Sequence, residues 1–375
     1  MEEERLHDEK RARQPALPRG SGRKLAFGED RAFQTELRRR VDEWLHRTGR
    51  RPRGGWRLHL KTAIILSCFA GSYALLVFVA RAWWQAVPLA VLLGLATAGI
   101  GTNIQHDGGH RAYSDRRWVN RAMAATLDLI GGSSHVWHWK HTLVHHTYVN
   151  ITGYDTDIDL GRLARLSPHQ ERLAFHRWQH LYLWPLYGLL AVKWQLLTDF
   201  RHVATGRLCR HSIPRPKGWD LVLFVVGKAA FFTWAFAVPM LFHPIGVVLL
   251  YYCVAAGVLG LVLSVVFQLP HCVPQADFPL PREGTERMEN PWAVHQASVT
   301  LDFARSNRAL GWLVGGLNFH LEHHLFPVIC HTHYPGLSGI VEQTCRDFGV
   351  KYAEHESFCA GVAEHYRWLR QMGRP

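Results

Sequence analysis

Four long apolar runs constrain this chain more than any other feature of its sequence. They cover residues 62–80, 86–104, 221–242 and 245–269. Each is about as long as the ~20 residues a helix needs to cross a hydrocarbon core of roughly 30 Å. The first run is followed at once by Arg81, Trp83 and Trp84. Tryptophans at that place suit the headgroup level of a bilayer. The turn between the last two runs is only His243-Pro244. The four runs therefore read as two transmembrane hairpins of an all-α integral membrane protein.

Composition fits that reading. Apolar residues make up 48% of 375, concentrated in the runs, while residues 1–58 are polar and rich in Arg. The formal charge of +13 raises nucleic acid as a partner, but Lys and Arg flank the apolar runs as they do on the cytoplasmic side of membrane proteins, so no nucleic acid is expected. Seven cysteines, odd in number and without a C-x-x-C pair, argue against a disulfide framework or thiolate site. The opening residues hold no apolar stretch, so no secretory signal is expected.

Residues 1–58 are expected to form a basic, partly disordered region, loosest over 1–30. Within it, residues 31–49 repeat Phe33, Leu37, Val41 and Leu45 at helical spacing, which suits a membrane-surface helix or a soluble packing helix equally. Lys228 interrupts the third run; a simple structural or snorkelling role is expected over one facing an interior polar site. Residues 181–197 are apolar but shorter and carry Pro185, Lys193 and Gln195. A fifth crossing there would separate the histidine clusters, so this stretch is read as lying in or on the interface. Residues 335–348 and 354–372 read as two amphipathic helices of a cap. The long loops are basic, which places the cap and both termini in the cytoplasm. The main domain is then residues 59–372.

Three histidine clusters lie beyond the ends of the runs. They are His106-Asp-Gly-Gly-His110, His141-Thr-Leu-Val-His145-His146 and His320-Leu-Glu-His323-His324. Residues i, i+3 and i+4 share one face of an α-helix. Eight imidazoles exceed what one ion accepts, so two metals are expected. Neutral imidazole binds iron, zinc, copper or nickel, and ligand type alone does not choose. The chain has 25 His, and a lone one is usually a hydrogen-bonded structural residue. That bland reading applies to His59, His169, His176, His180, His202, His211, His243, His355 and His365; His135 and His138 have no supported role.

The patterns H-x-x-x-H, H-x-x-x-H-H and H-x-x-H-H around two hairpins resemble the membrane fatty acid desaturase family. Further stretches agree: HTLVHHTYVNITGYDTD from His141, WAVHQASVTLDFA from Trp292 and GGLNFHLEHHLFP before and through the third cluster. These resemble the acyl-CoA and acyl-lipid branch that includes front-end, linoleoyl-CoA-type enzymes. The resemblance implies a non-haem di-iron centre, with O2 as co-substrate and two electrons from an external ferredoxin or cytochrome b5. It also implies a long-chain acyl-CoA or acyl-lipid substrate that gains a cis double bond. An unactivated C–H bond offers no acidic proton, so a redox metal rather than zinc is needed. His271 matches a further family ligand, giving a nine-histidine set. Gln268, His295 and Asp107 are candidates beside the ligands. Many front-end enzymes fused to cytochrome b5 carry Gln where this chain has His320, and no haem motif is found here: His243-Pro244-Ile245-Gly246 departs from the expected pattern.

An apolar tunnel is expected, with Trp137, Trp139, Phe267, Trp292, Phe303 and Phe319 as candidate lining residues. Two rivals remain open from sequence. A hydroxylase or ketolase acting on lipid, alkane or carotenoid would use the same oxidant. A histidine-rich membrane transporter or sensor would bind zinc, although its ligands belong within the spans.

Overall fold

The computed structural model describes residues 24–375, and the expectation of disorder over residues 1–23 lies outside them. The described residues are predominantly helical, with almost no sheet. Helix α1 is Ala32–Arg47. Four helices are long and apolar enough to cross a membrane: α2 (Trp56–Val79), α3 (Trp83–Gly109), α5 (Trp219–Met240) and α6 (Ile245–Gln268). Between α3 and α5 lies α4, Gln179–Lys193. The cap adds α7 (Trp292–Val299), α8 (His320–Leu325), α9 (Tyr334–Asp347) and α10 (Phe358–Met372).

The first three of these helices begin earlier than hydropathy marks them, and α3 also ends further on, because the polar ends continue the same helix. α3 runs on through Ile100–Gln105 as a π-helical stretch and carries His106 on its last turn. Trp56, Trp83, Trp84 and Trp219 stand exposed at the helix ends, where the amphipathic indole suits a headgroup boundary. α3 is the most enclosed of the four and packs on α2 and α6. Gly94 permits that approach: a Cβ there would lie 2.5 Å from the Ala255 carbonyl oxygen. α4 lies lengthwise along α6, with Gly188 facing Gly257 and Gly260.

One expectation changes, and one reading left open by the sequence is settled. Lys228 does not snorkel. Its Nζ is buried and donates to Asp199 Oδ2 at 3.0 Å, Gly131 O at 2.6 Å and Gln195 O at 3.2 Å. A lysine facing lipid would extend to water; this one faces the protein, where three oxygens replace water. α1 is a packing helix. Its Phe33, Leu37 and Val41 are buried against Leu337, Val341 and Cys345 of α9, so no apolar stripe is left for a membrane surface. Arg40 adds a 2.5 Å contact to Asp347.

The segment before α1 is held as well. Ala26–Gly28 pairs in parallel with Arg287–Pro291, and Leu25 is buried with Val144, Tyr148 and Met288. In the cap, α9 and α10 form over the stretches that sequence reads as amphipathic. α10 closes onto α4, burying Trp368 and Leu369 with Leu183 and Tyr187.

Candidate metal centre

All nine predicted ligands meet in one buried chamber. Their donor atoms fall into groups in which every pair lies within 4.8 Å. One group is His106, His110, His141 and His323; the other is His145, His271, His320 and His324. His146 sits between them, in a third group with His323 and His324. Two imidazole nitrogens bound about 2.0–2.1 Å from one ion lie at comparable separations. His141 Nε2 is 3.2 Å from both His106 Nε2 and His146 Nε2.

Local helix geometry explains the sorting. On α8, successive residues are turned by about 100°. His320 and His324 therefore share a face toward His145 and His271, and His323 turns toward His106 and His110. The second cluster departs from the α-helix on which the sequence argument relied, since His138–His145 is π-helical. In an α-helix His146 would point about 140° from His141, five residues earlier. The wider i→i+5 ladder of a π-helix brings the two rings to 4.8 Å between centroids. α8 reaches the chamber through a tight turn. Gly315 has φ of +67°, and a Cβ there would lie 2.2 Å from the Thr102 carbonyl oxygen of α3.

In four of these rings the second nitrogen has a partner that fixes the imidazole. His145 Nδ1 donates to Asp155 Oδ1 at 3.2 Å, and His324 Nδ1 to Gln296 Oε1 at 3.0 Å. His271 Nδ1 donates to Val299 O at 3.1 Å, and His320 Nδ1 to Leu317 O at 2.9 Å. These partners set which nitrogen faces the chamber. Nε2 of His110, His271, His320, His323 and His324 is buried without any hydrogen-bond partner. Converging, buried and unsatisfied acceptors of this kind are what a metal ion would satisfy. An all-imidazole donor set suits a first-row transition metal.

Electrostatics agree. Burial, reinforced by neighbouring imidazoles, holds His110, His141, His146, His320, His323 and His324 well below the usual histidine value. Burial pushes His271 down to about 4. These rings are neutral at neutral pH, the state that ligates metal. His145 is the exception. Burial works against its charge, but Asp155 and Asp157 outweigh that and raise it.

The other candidates fall elsewhere. Asp107 touches no ring of the nine: its carboxylate accepts from His331 Nδ1 at 2.8 Å and from Cys330 Sγ at 3.2 Å, and Lys61 Nζ donates to His331 Nε2 at 3.0 Å. Its backbone neighbour His106 is thereby anchored only indirectly. His295 Nε2 donates to Val149 O at 3.0 Å, and Gln268 Nε2 lies 3.4 Å from Asp157 O, so both brace the segment after the second cluster. Asp155, Gln296 and His331 were missed by sequence reasoning. Asp155 and Gln296 lie inside the stretches that carried the family resemblance; His331 had no such signal. Among the proposed tunnel residues, Trp137 stacks on His141 at 4.7 Å and Phe267 lies 6.2 Å from it. Trp292 Nε1 donates to His146 O at 3.1 Å. Phe303 and Phe319 belong to packed clusters of the cap, and Trp139 lies beside His138. His169, His176, His202, His211, His243 and His365 are tied to backbone carbonyls.

Comparison with known proteins matches this architecture. The fatty acid desaturase family model covers residues 82–356. A "sn-1 linoleoyl-lipid 6-desaturase" of Arthrospira platensis is 36% identical, over 93% of this chain and 95% of that protein. One of the same description from Synechocystis sp. is 33% identical, over 94% and 98%. An "Acyl-lipid (8-3)-desaturase" of Physcomitrium patens is 33% identical, over 93% of this chain and 73% of its own. With its membrane-crossing helices and its three histidine clusters gathered into one chamber, this chain belongs to the fatty acid desaturase family.

Proposed function

We propose that this enzyme desaturates a long-chain acyl group carried on a lipid, using two iron ions and O2. The observation that carries the reading is the pair of four-histidine groups, with His146 between them and unsatisfied Nε2 atoms facing inward. The relatives' printed descriptions favour an acyl-lipid over an acyl-CoA substrate. They also support a new double bond on the carboxyl side of an existing one.

His106, His110, His141 and His323 would hold one iron, and His145, His271, His320 and His324 the other, with His146 available to either. Iron bound there would supply the O2-derived oxidising power needed to remove hydrogen from an unactivated C–H bond. The protein's own part is positional and electrostatic. Neutral imidazoles keep the ligand set free of negative charge. Asp155, Gln296 and the Val299 and Leu317 carbonyls lock the rings before metal arrives. Burial of all nine rings keeps bulk water from the chamber. Trp137 and Phe267 offer apolar surface beside His141 for the reacting stretch of chain. Electrons come from a separate donor, ferredoxin or cytochrome b5, and the cap faces the cytoplasm with both termini.

The test is expression in a host that supplies a ferredoxin and its reductase, followed by mass spectrometry of the lipids. Loss of two hydrogens at a defined carbon pair of a lipid-bound chain is expected. Gain of an oxygen atom would replace desaturation by hydroxylation. Purified protein holding zinc and no iron, without prior stripping, would overturn the reading altogether.

A further inference from the structure

A cavity of about 300 Å3 lies between the four membrane helices, and no histidine of the metal centre lines it. Its walls come from every span, with Val77, Leu93, Trp234, Val248 and Leu259 among them. It sits toward the end of the helices opposite the histidine clusters, where Arg81, Trp83 and His243 also line it. Protein interiors are packed closely, and an unfilled apolar cavity of this size forfeits dispersion contacts along its wall. The volume falls at the lower end of small-molecule sites, about 300–1,000 Å3, which are likewise mostly apolar with few polar groups.

Packed side chains separate this cavity from the metals. Ile100, Ile104, Leu127 and Ile130 form one core cluster with Trp137 and Trp194, and Trp137 is the ring that stacks on His141. Gln195 closes the inner end with its amide fully engaged: Nε2 donates to Ile130 O at 2.8 Å, and Oε1 accepts from Tyr252 at 3.0 Å. At the outer end His243 Nε2 is spent on Val77 O at 2.7 Å. Arg81 differs. It is exposed, and among the described residues no carboxylate pairs with its guanidinium. A guanidinium presents a donor fork that matches carboxylate or phosphate.

We propose that this cavity is a second lipid site, taking the hydrocarbon tail of an anionic amphiphile whose carboxylate or phosphate pairs with Arg81, separate from the chain that is desaturated. The site does not depend on which reaction the metals perform.

The experiment uses the full-length, metal-loaded protein in nanodiscs of neutral phosphatidylcholine. Two probes are compared: a long-chain fatty acid with a diazirine near its tail end, and a phosphatidylglycerol carrying the same diazirine on one tail. Adducts are expected on peptides spanning residues 93–97 and 252–259, the walls nearest Gln195. Arg81→Gln should weaken labelling roughly tenfold, the scale of one lost charge-assisted contact. Ala235→Trp should abolish labelling by filling the space. Ala235→Leu, a smaller plug that serves where the Trp variant does not fold, should reduce it. Iron content should stay at the wild-type level in Arg81→Gln. Labelling by the free acid alone identifies a fatty acid ligand, and labelling by the phospholipid identifies a bilayer lipid; either supports the site. Labelling unchanged by Arg81→Gln and by both Ala235 variants would overturn it. So would a plug that narrows the chain lengths desaturated while leaving labelling intact, since the cavity would then be the far end of the substrate tunnel.

Discussion

In His145, His271, His320 and His324 the two ring nitrogens have separate tasks, one turned to the metal position and the other to a fixed partner. This division makes single-residue effects separable. His110→Ala and His320→Ala strike different four-histidine groups, so each should abolish product formation and cost about half of the bound iron, read by elemental analysis of protein that still inserts. The partners of the second nitrogen should act more mildly. Asp155→Asn and Gln296→Ala leave every ligand present but free a ring to turn; a loss of about 10–100-fold in metal affinity is expected, measured by competition with a chelator. Unchanged affinity would reduce both residues to packing. Eight of the nine candidate ligands were legible from spacing, because clustering of histidine is conspicuous, and His271 only from the family resemblance. Gln296 was not, because an amide beside a histidine has many uses and only proximity to His324 selects one.

Among the elements, two contacts carry measurable weight. The Lys228 ammonium in α5 and the Asp199 carboxylate after α4 are both buried, with relative side-chain exposure of 5% and 0%. Lys228→Met leaves Asp199 uncompensated, and breaking a buried pair in this way costs about 3–5 kcal/mol. A large fall in thermal stability in detergent is expected, with recovery in the Lys228→Met, Asp199→Leu double variant. α10 is joined to α4 by His365, whose Nδ1 donates to Cys272 O at 2.7 Å and whose Nε2 accepts from Tyr187 at 2.8 Å. Burial pushes His365 down to about 4. The folded state thus binds the proton less readily than the unfolded chain. The stabilisation is present above pH of about 6.5 and is lost as pH falls toward 4. Hydrogen-exchange protection factors over residues 358–372, corrected for the intrinsic rate at each pH, should fall between pH 7 and 5, and His365→Phe should flatten that dependence.

The whole molecule closes its membrane end and its cap around one chamber, and nine inward-facing rings make the fold dependent on what they bind. Metal that binds only the folded state stabilises it by about 2.7 kcal/mol at a free concentration a hundred times Kd. Chelation should therefore lower the unfolding temperature of the wild type and have less effect on His320→Ala, as followed by calorimetry in detergent. An equal shift in both would mean that the ions contribute nothing to the cap. The helices that form the chamber come from opposite ends of the sequence: α3 delivers His106 and α8 delivers His323, and their rings lie 4.4 Å apart between centroids.

By itself the sequence determined what short-range chemistry can specify. Apolar runs of spanning length marked the membrane helices, residue type with local spacing marked eight of the histidines, and the family resemblance added His271. Tertiary structure alone decided how those histidines divide, because the division depends on a π-helical stretch over residues 138–145 and on how α8 is turned against α3. It also decided that Lys228 faces inward, that α1 belongs to the cap and that Asp107 answers to His331 rather than to a ligand. The physical reason is common to all four. A side chain's partner is set by which distant surface packs against it, and hydropathy and spacing describe only its own segment.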